Sequence, residues 1–141
     1  PVGMKTFEVM DISGDAGIKA YGQTLNDAFT NAAMGMYSLI TDPEKIREER
    51  EITIELKSHS PEGLLVSWLN ELIFHFDTYG FIGKAIHIET LDATALTAHI
   101  SGEEFDPERH ERRLLIKAAT YHQLSIVPKE GGWELQVIFD I

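Results

Sequence analysis

The sequence contains no cysteine. That single absence removes disulfides, thiolate metal sites and cysteine nucleophiles together, and it fits a reducing compartment. Long apolar runs are missing as well. Nothing approaches the roughly 20 consecutive apolar residues that a membrane-crossing helix requires. The opening Pro1-Val2-Gly3-Met4-Lys5 lacks the basic-then-apolar pattern of a secretory signal. Met4 can serve as the natural start, with Pro1–Gly3 either an expression remnant or a short extension ahead of it, and the cytosol is the expected compartment.

Positive charge is scarce. Twelve Lys plus Arg stand against 23 Asp plus Glu, for a net charge of −11. A chain this acidic is repelled by phosphate backbones, because nucleic-acid affinity rests largely on Lys and Arg displacing counterions. The basic residues are spread along the chain, with Arg109, Arg112 and Arg113 the tightest group. An RNA binder acting alone is not expected. A partner with a basic surface, or a hard metal cation, suits the charge better.

Several catalytic signatures are also absent. There is no GxxxxGK or GxGxxG phosphate loop, no HExxH, and no serine in a nucleophile elbow. His59, His75, His87, His99, His110 and His122 are scattered. His75 lies one helical turn from Glu71, a pairing that needs no function. His87 and His99 occupy alternating strand positions that face solvent. A small metal-dependent hydrolase would need a general base beside its metal, and no histidine or glutamate is visibly placed for it.

What is present is ordinary for a folded domain. Hydrophobic residues make up 43% and charged residues 25% of 141 residues. A chain of that length reads as one domain, 1–141, and buries roughly two-thirds of its unfolded surface. Thr6–Met10 and Ile18–Tyr21 alternate as half-buried strands do, with Asp11–Gly17 as the loop between them. Thr24 is a good N-cap for a helix with apolar residues at spacings of three and four from Leu25 to Ile40. Ile52–Leu56 reads as a strand. Ser60-Pro61 starts a second helix, whose stripe of Leu64, Leu65, Trp68, Leu69, Leu72, Ile73 and Phe76 should centre the core.

Beyond Gly80 the period returns to two. Ala85–Glu89 and Ala95–Ile100 pair around Asp92, and Asp106–Arg109 forms a short helical turn. Leu114–Val127 reads as one long strand bent near Thr120. Gly131-Gly132 turns the chain into a last strand, Trp133–Phe139. The element order implies an α+β fold: a two-layer domain of two helices on a mostly antiparallel sheet, with a weak hint of a strand-helix-strand duplication.

Chemistry is then left to acidic residues at turns and ends. Asp15 lies in the first hairpin loop, where an Asx turn is the plainer explanation. Asp140 sits beside Ile141, after the last strand. Asp15, Asp140 and the carboxyl group of Ile141 would converge if the first loop lies near that strand's end. Hard cations such as Ca²⁺ take about 6–8 oxygen ligands, some of them water. Spacing alone leaves open whether these groups meet.

Five collinear segments carry a family resemblance. They are Asp11–Ile18 with Ala20-Tyr21-Gly22 and Thr24-Leu25; Leu64–Leu72; Gly102-Glu103-Glu104; Lys117–His122; and Ile138–Ile141. Together they resemble the archease family, the accessory proteins of RtcB-type RNA ligases. One segment departs from the pattern: the family's usual His-Thr-Ala between two early aspartates is Ile12-Ser13-Gly14 here, while Asp15 is kept. The resemblance implies a divalent metal site of Asp15, Asp140 and Ile141, expected to hold Ca²⁺, with Mn²⁺ or Mg²⁺ as alternatives. It also implies a role for Lys117 in ligase activation. The implied function is non-catalytic: promoting the ligase's guanylylation and multiple turnover in tRNA splicing or RNA repair. RNA would be met only through the ligase. The alternative is a general chaperone or assembly module with a structural metal.

Overall fold

The computed structural model describes residues 5–141; the reading of Met4 as the natural start lies outside them. The elements run β1 (Phe7–Ile12), β2 (Asp15–Gly22), α1 (Leu25–Ile40), β3 (Arg50–Lys57), α2 (Pro61–Tyr79), β4 (Phe81–Leu91), β5 (Ala95–Glu104), β6 (Ala118–Ala119), β7 (Ser125–Lys129) and β8 (Gly132–Asp140). A single 3₁₀ turn, Pro43–Lys45, follows α1. The class is α+β, and every strand pairing among the described residues is antiparallel.

The expected sheet is divided in two. One sheet runs β1-β2-β8, with β6 and β7 sharing the far edge of β8; the other runs β3-β5-β4. The two strand-helix-strand passages therefore differ. The one through α2 returns to its own sheet, whereas the one through α1 crosses from the first sheet to the second.

Both helices start and pack as their sequences dictate. The Thr24 side chain accepts from the Asp27 N–H, and the Ser60 side chain from the Gly63 N–H ahead of Pro61. Gly80 ends α2 in the left-handed region at φ 70°. Ala28, Phe29, Ala32, Ala33, Met36 and Tyr37 of α1 are fully buried, as are Leu64, Leu65, Trp68, Leu69 and Leu72 of α2. Burying each large side chain contributes about 1.5–3 kcal/mol. The buried Trp68 indole N–H donates to the Phe29 carbonyl at 3.0 Å and ties the helices together.

Three local readings are corrected. The first loop is only Ser13-Gly14, both at positive φ (35° and 89°), with Ile12 paired to Asp15. Two such residues close a tight hairpin, so Asp11 and Asp15–Gly17 are strand, not loop. The final turn is Glu130-Gly131, one residue earlier than expected, because Gly131 supplies the positive φ and Gly132 pairs with Lys129. Leu114–Val127 is not one strand. It pairs with β8 at Ala118–Ala119 and again from Ser125. The Thr120 hydroxyl donates to the Ile138 carbonyl and accepts from the His122 N–H, turning the chain between.

Candidate functional site

The central position of β2 brings the acidic residues together. Ala16 pairs with Phe139, so one step further along the register Asp15 and Asp140 fall opposite each other across β2 and β8. Opposed residues of an antiparallel pair project from the same face about 4.5–5.5 Å apart. Two like charges so placed are unfavourable, and neither carboxylate has a hydrogen-bond or ion-pair partner among the described residues. Asp140 is exposed and Asp15 half-buried. Asp15 and Ile141 line one surface depression of about 380 Å³ with Val9, Asp11, Leu39 and Leu114. Val9 and Ile141 are both exposed there, Val9 the more so.

Lys117 is exposed, and its N–H donates to the Asp140 carbonyl at 2.8 Å. Its amine makes no ion pair among the described residues. Two residues on, Ala119 is held by α2. The Asn70 side chain accepts from the Ala119 N–H at 2.8 Å and donates to the Ala119 carbonyl at 3.3 Å, as a neighbouring strand would.

The donors at this end are carboxylate and main-chain oxygens, which suit Ca²⁺, Mg²⁺ or Mn²⁺ rather than a thiophilic metal. The opposed, unpartnered carboxylates fit a cation that would relieve their repulsion. No group of three or more His, Asp or Glu side chains that could hold a metal occurs among the described residues. Further ligands would therefore come from oxygens other than carboxylate side chains, such as main-chain carbonyls, with water completing the shell.

A second polar centre escaped the sequence reading. The Glu103 carboxylate, with its side chain only 4% exposed, binds the Arg109 guanidinium, the His110 imidazole at 3.0 Å and the Arg47 N–H at 2.6 Å. Because His110 Nδ1 accepts from the Asp106 N–H at 2.8 Å, its proton sits on Nε2 and points at Glu103. Burial pushes the Glu103 carboxyl up, but hydrogen bonds from Arg109, Arg47 and His110 outweigh it and hold the group at about 2. The turn over Asp106–Arg109, expected from sequence, swings Arg109 and His110 back onto Glu103. No spacing rule flags that set. The one signal in the sequence is the place of Glu103 in the Gly102-Glu103-Glu104 segment of the family resemblance.

The outer face of the smaller sheet carries two more histidines. His87 and His99 stack across β4 and β5, with ring centroids 6.2 Å apart. His99 also bonds Glu89 at 2.8 Å and Thr53 at 3.0 Å. His75 lies 3.4 Å from Glu71. No helix of the described residues is long and apolar enough to cross a membrane.

Comparison with known proteins then places the chain. The model of the Archease protein family matches residues 7–141. The Sulfolobus acidocaldarius protein archease is 37% identical over 139 residues, covering 98% of this chain and 100% of that protein. The Methanosarcina mazei protein archease is 36% identical, with 97% of each chain covered. Among solved structures, the solution structure of Methanobacterium thermoautotrophicum protein 1598 superposes with a TM-score of 0.81 at 36% identity, covering 98% of this chain and 100% of that one. The crystal structure of an archease described as a possible chaperone, from Thermotoga maritima, gives a TM-score of 0.60 at 16% identity over 94% of each chain, a likeness of fold alone. On the family match and these full-length identities, the chain belongs to the archease family.

Proposed function

We propose that this protein is a non-catalytic, metal-binding cofactor of an RtcB-type RNA ligase, and that it promotes the ligase's guanylylation and repeated turnover in tRNA splicing or RNA repair. The observation that carries the reading is the convergence of Asp15, Asp140, Ile141 and the Lys117 main chain at one end of the larger sheet, in a chain of the archease family. Asp15 and Asp140, with main-chain or terminal oxygens of Ile141, would hold a divalent cation, Ca²⁺ foremost and Mn²⁺ or Mg²⁺ as alternatives. The cation would supply positive charge to an otherwise repulsive pair and pin the first hairpin to β8.

The chain's own residues do the rest. The Ser13-Gly14 turn sets Asp15 at the head of β2. The Asp140 carbonyl anchors Lys117, whose amine, without an ion-pair partner among the described residues, would meet an anionic group on the ligase or its nucleotide. RNA is reached only through the ligase, in keeping with a net charge of −11. The work of such a protein belongs in the cytosol with the ligase.

The test is ligation by a cognate ligase with GTP and Mn²⁺, under single and multiple turnover. Wild-type protein in small amounts should raise the RNA joined per ligase molecule. Asp15→Ala, Asp140→Ala and Lys117→Ala should each lose that effect with unchanged circular dichroism. Unchanged multiple-turnover ligation with the wild type would defeat the reading. The Thermotoga maritima archease has been described as a possible chaperone, which favours a second reading, a general assembly module. In that case unrelated aggregating proteins should be protected as well.

A further inference from the structure

Residues 105–117 form neither helix nor strand, yet their main chain is pinned at both ends and in the middle. At the near end, Arg109 and His110 close on the buried Glu103, and Arg109 Nη1 also donates to the Lys45 carbonyl at 2.9 Å. The middle lies on the end of α1. That helix has no basic residue in its last turn and ends on an extended Thr41, so its final carbonyls need partners from elsewhere. They find them in this segment. The Arg113 N–H donates to the Ile40 carbonyl and the Leu114 N–H to the Leu39 carbonyl, each at 2.9 Å. Arg113 Nη1 donates to the Ser38 carbonyl at 2.9 Å, bringing a cation to the negative end of the helix dipole. At the far end, Lys117 bonds the Asp140 carbonyl.

We propose that Glu103 and Arg113 are positioning residues that set where Lys117 sits against the end of β8. The inference rests on the reading of Lys117 as a ligase contact. A strap with no sheet ladder has its course determined by its anchors. From Leu114 to Lys117 it has only three steps to the amine in question. Buried Ile116 is the one apolar anchor between them. Leu114 also lines the depression that holds Asp15 and Ile141, so a strap that slips would alter both halves of the site together.

The experiment pairs amide hydrogen exchange with ligation for Arg113→Ala, Arg113→Lys and Glu103→Gln. Each anchor loss should speed exchange at the Lys117 amide at least tenfold, speed the core amide of Leu69 by a clearly smaller factor, and cut multiple-turnover activation at least tenfold. Arg113→Lys, which keeps a donor for the Ser38 carbonyl, should recover part of both effects. Unchanged Lys117 exchange in Arg113→Ala and Glu103→Gln overturns the proposal. So does equal acceleration at Leu69, which would make these residues general stabilisers, and so does normal activation despite faster Lys117 exchange. Lys117→Ala is the separate control. If it activates normally, the ligase-contact reading falls, while the exchange data still report whether the strap is held by its anchors.

Discussion

Asn70 and Glu103 are side chains whose loss would each leave several polar atoms unsatisfied. Asn70 serves as a strand edge for Ala119, supplying one donor and one acceptor. Asn70→Leu keeps the branched shape but strands a buried N–H and carbonyl, and should destabilise by about 1–3 kcal/mol in urea unfolding. Glu103 carries a pH signature. Its folded value of about 2 lies below the ordinary 4.5, so its contribution is fully present above 4.5 and drains away as pH falls toward 2. Wild type should unfold at higher urea than Glu103→Gln at neutral pH, and that gap should close steadily between pH 4.5 and 2. A constant gap would mean that the carboxylate's charge is not what holds Arg109 and His110. His110, accepting at Nδ1 from the Asp106 N–H, bridges main chain and carboxylate.

At the scale of elements, the first hairpin is the most instructive. Its turn residues Ser13-Gly14 both take positive φ, a geometry that Asn-Gly satisfies with less strain than Ser-Gly. Ser13→Asn should therefore raise the unfolding midpoint, by about 0.5 kcal/mol in stability, without moving Asp15; calorimetry on the two proteins would read it. Both helices were legible from their caps and apolar stripes, because Thr24, Ser60-Pro61 and the Leu64–Phe76 pattern are local signals. The strands at 85–89 and 95–100 were legible for the same reason, although both run on past those limits, back to Phe81 and forward to Glu104. The division into two sheets was not, since it depends on which strands meet and no local pattern encodes that. The strap over 105–117 was misread at its end as strand. Leu114, Leu115 and Ile116 are apolar, but their main chain is spent on capping α1, a demand set by a helix that ends without a glycine of its own. Of the candidate site, Asp15, Asp140 and Ile141 were identified through the family resemblance. Their approach follows from the β2–β8 register, which joins residues more than a hundred positions apart. Glu103, Arg109 and His110 stayed hidden because their meeting depends on the turn at Asp106.

The whole molecule is strongly acidic, and that has two readable consequences. Self-repulsion disfavours the compact state, so moderate salt should raise the midpoint of thermal unfolding. Docking on a basic enzyme should be steered, so the association rate measured by stopped flow should fall about tenfold or more between low and high ionic strength, with dissociation little changed. A salt-independent association rate would argue for an uncharged contact surface. The position of β2 between β1 and β8 has a further consequence, during synthesis. The smaller sheet and α2 occupy residues 50–104 without interruption and can assemble while the rest of the chain is still being made. The larger sheet cannot, because β2 must wait for β8, translated more than a hundred residues later. Until then a strand with buried Ala16, Ile18 and Ala20 has an open edge on the ribosome. The acidic end that the mature protein would offer a ligase is thus completed among the last parts of the fold.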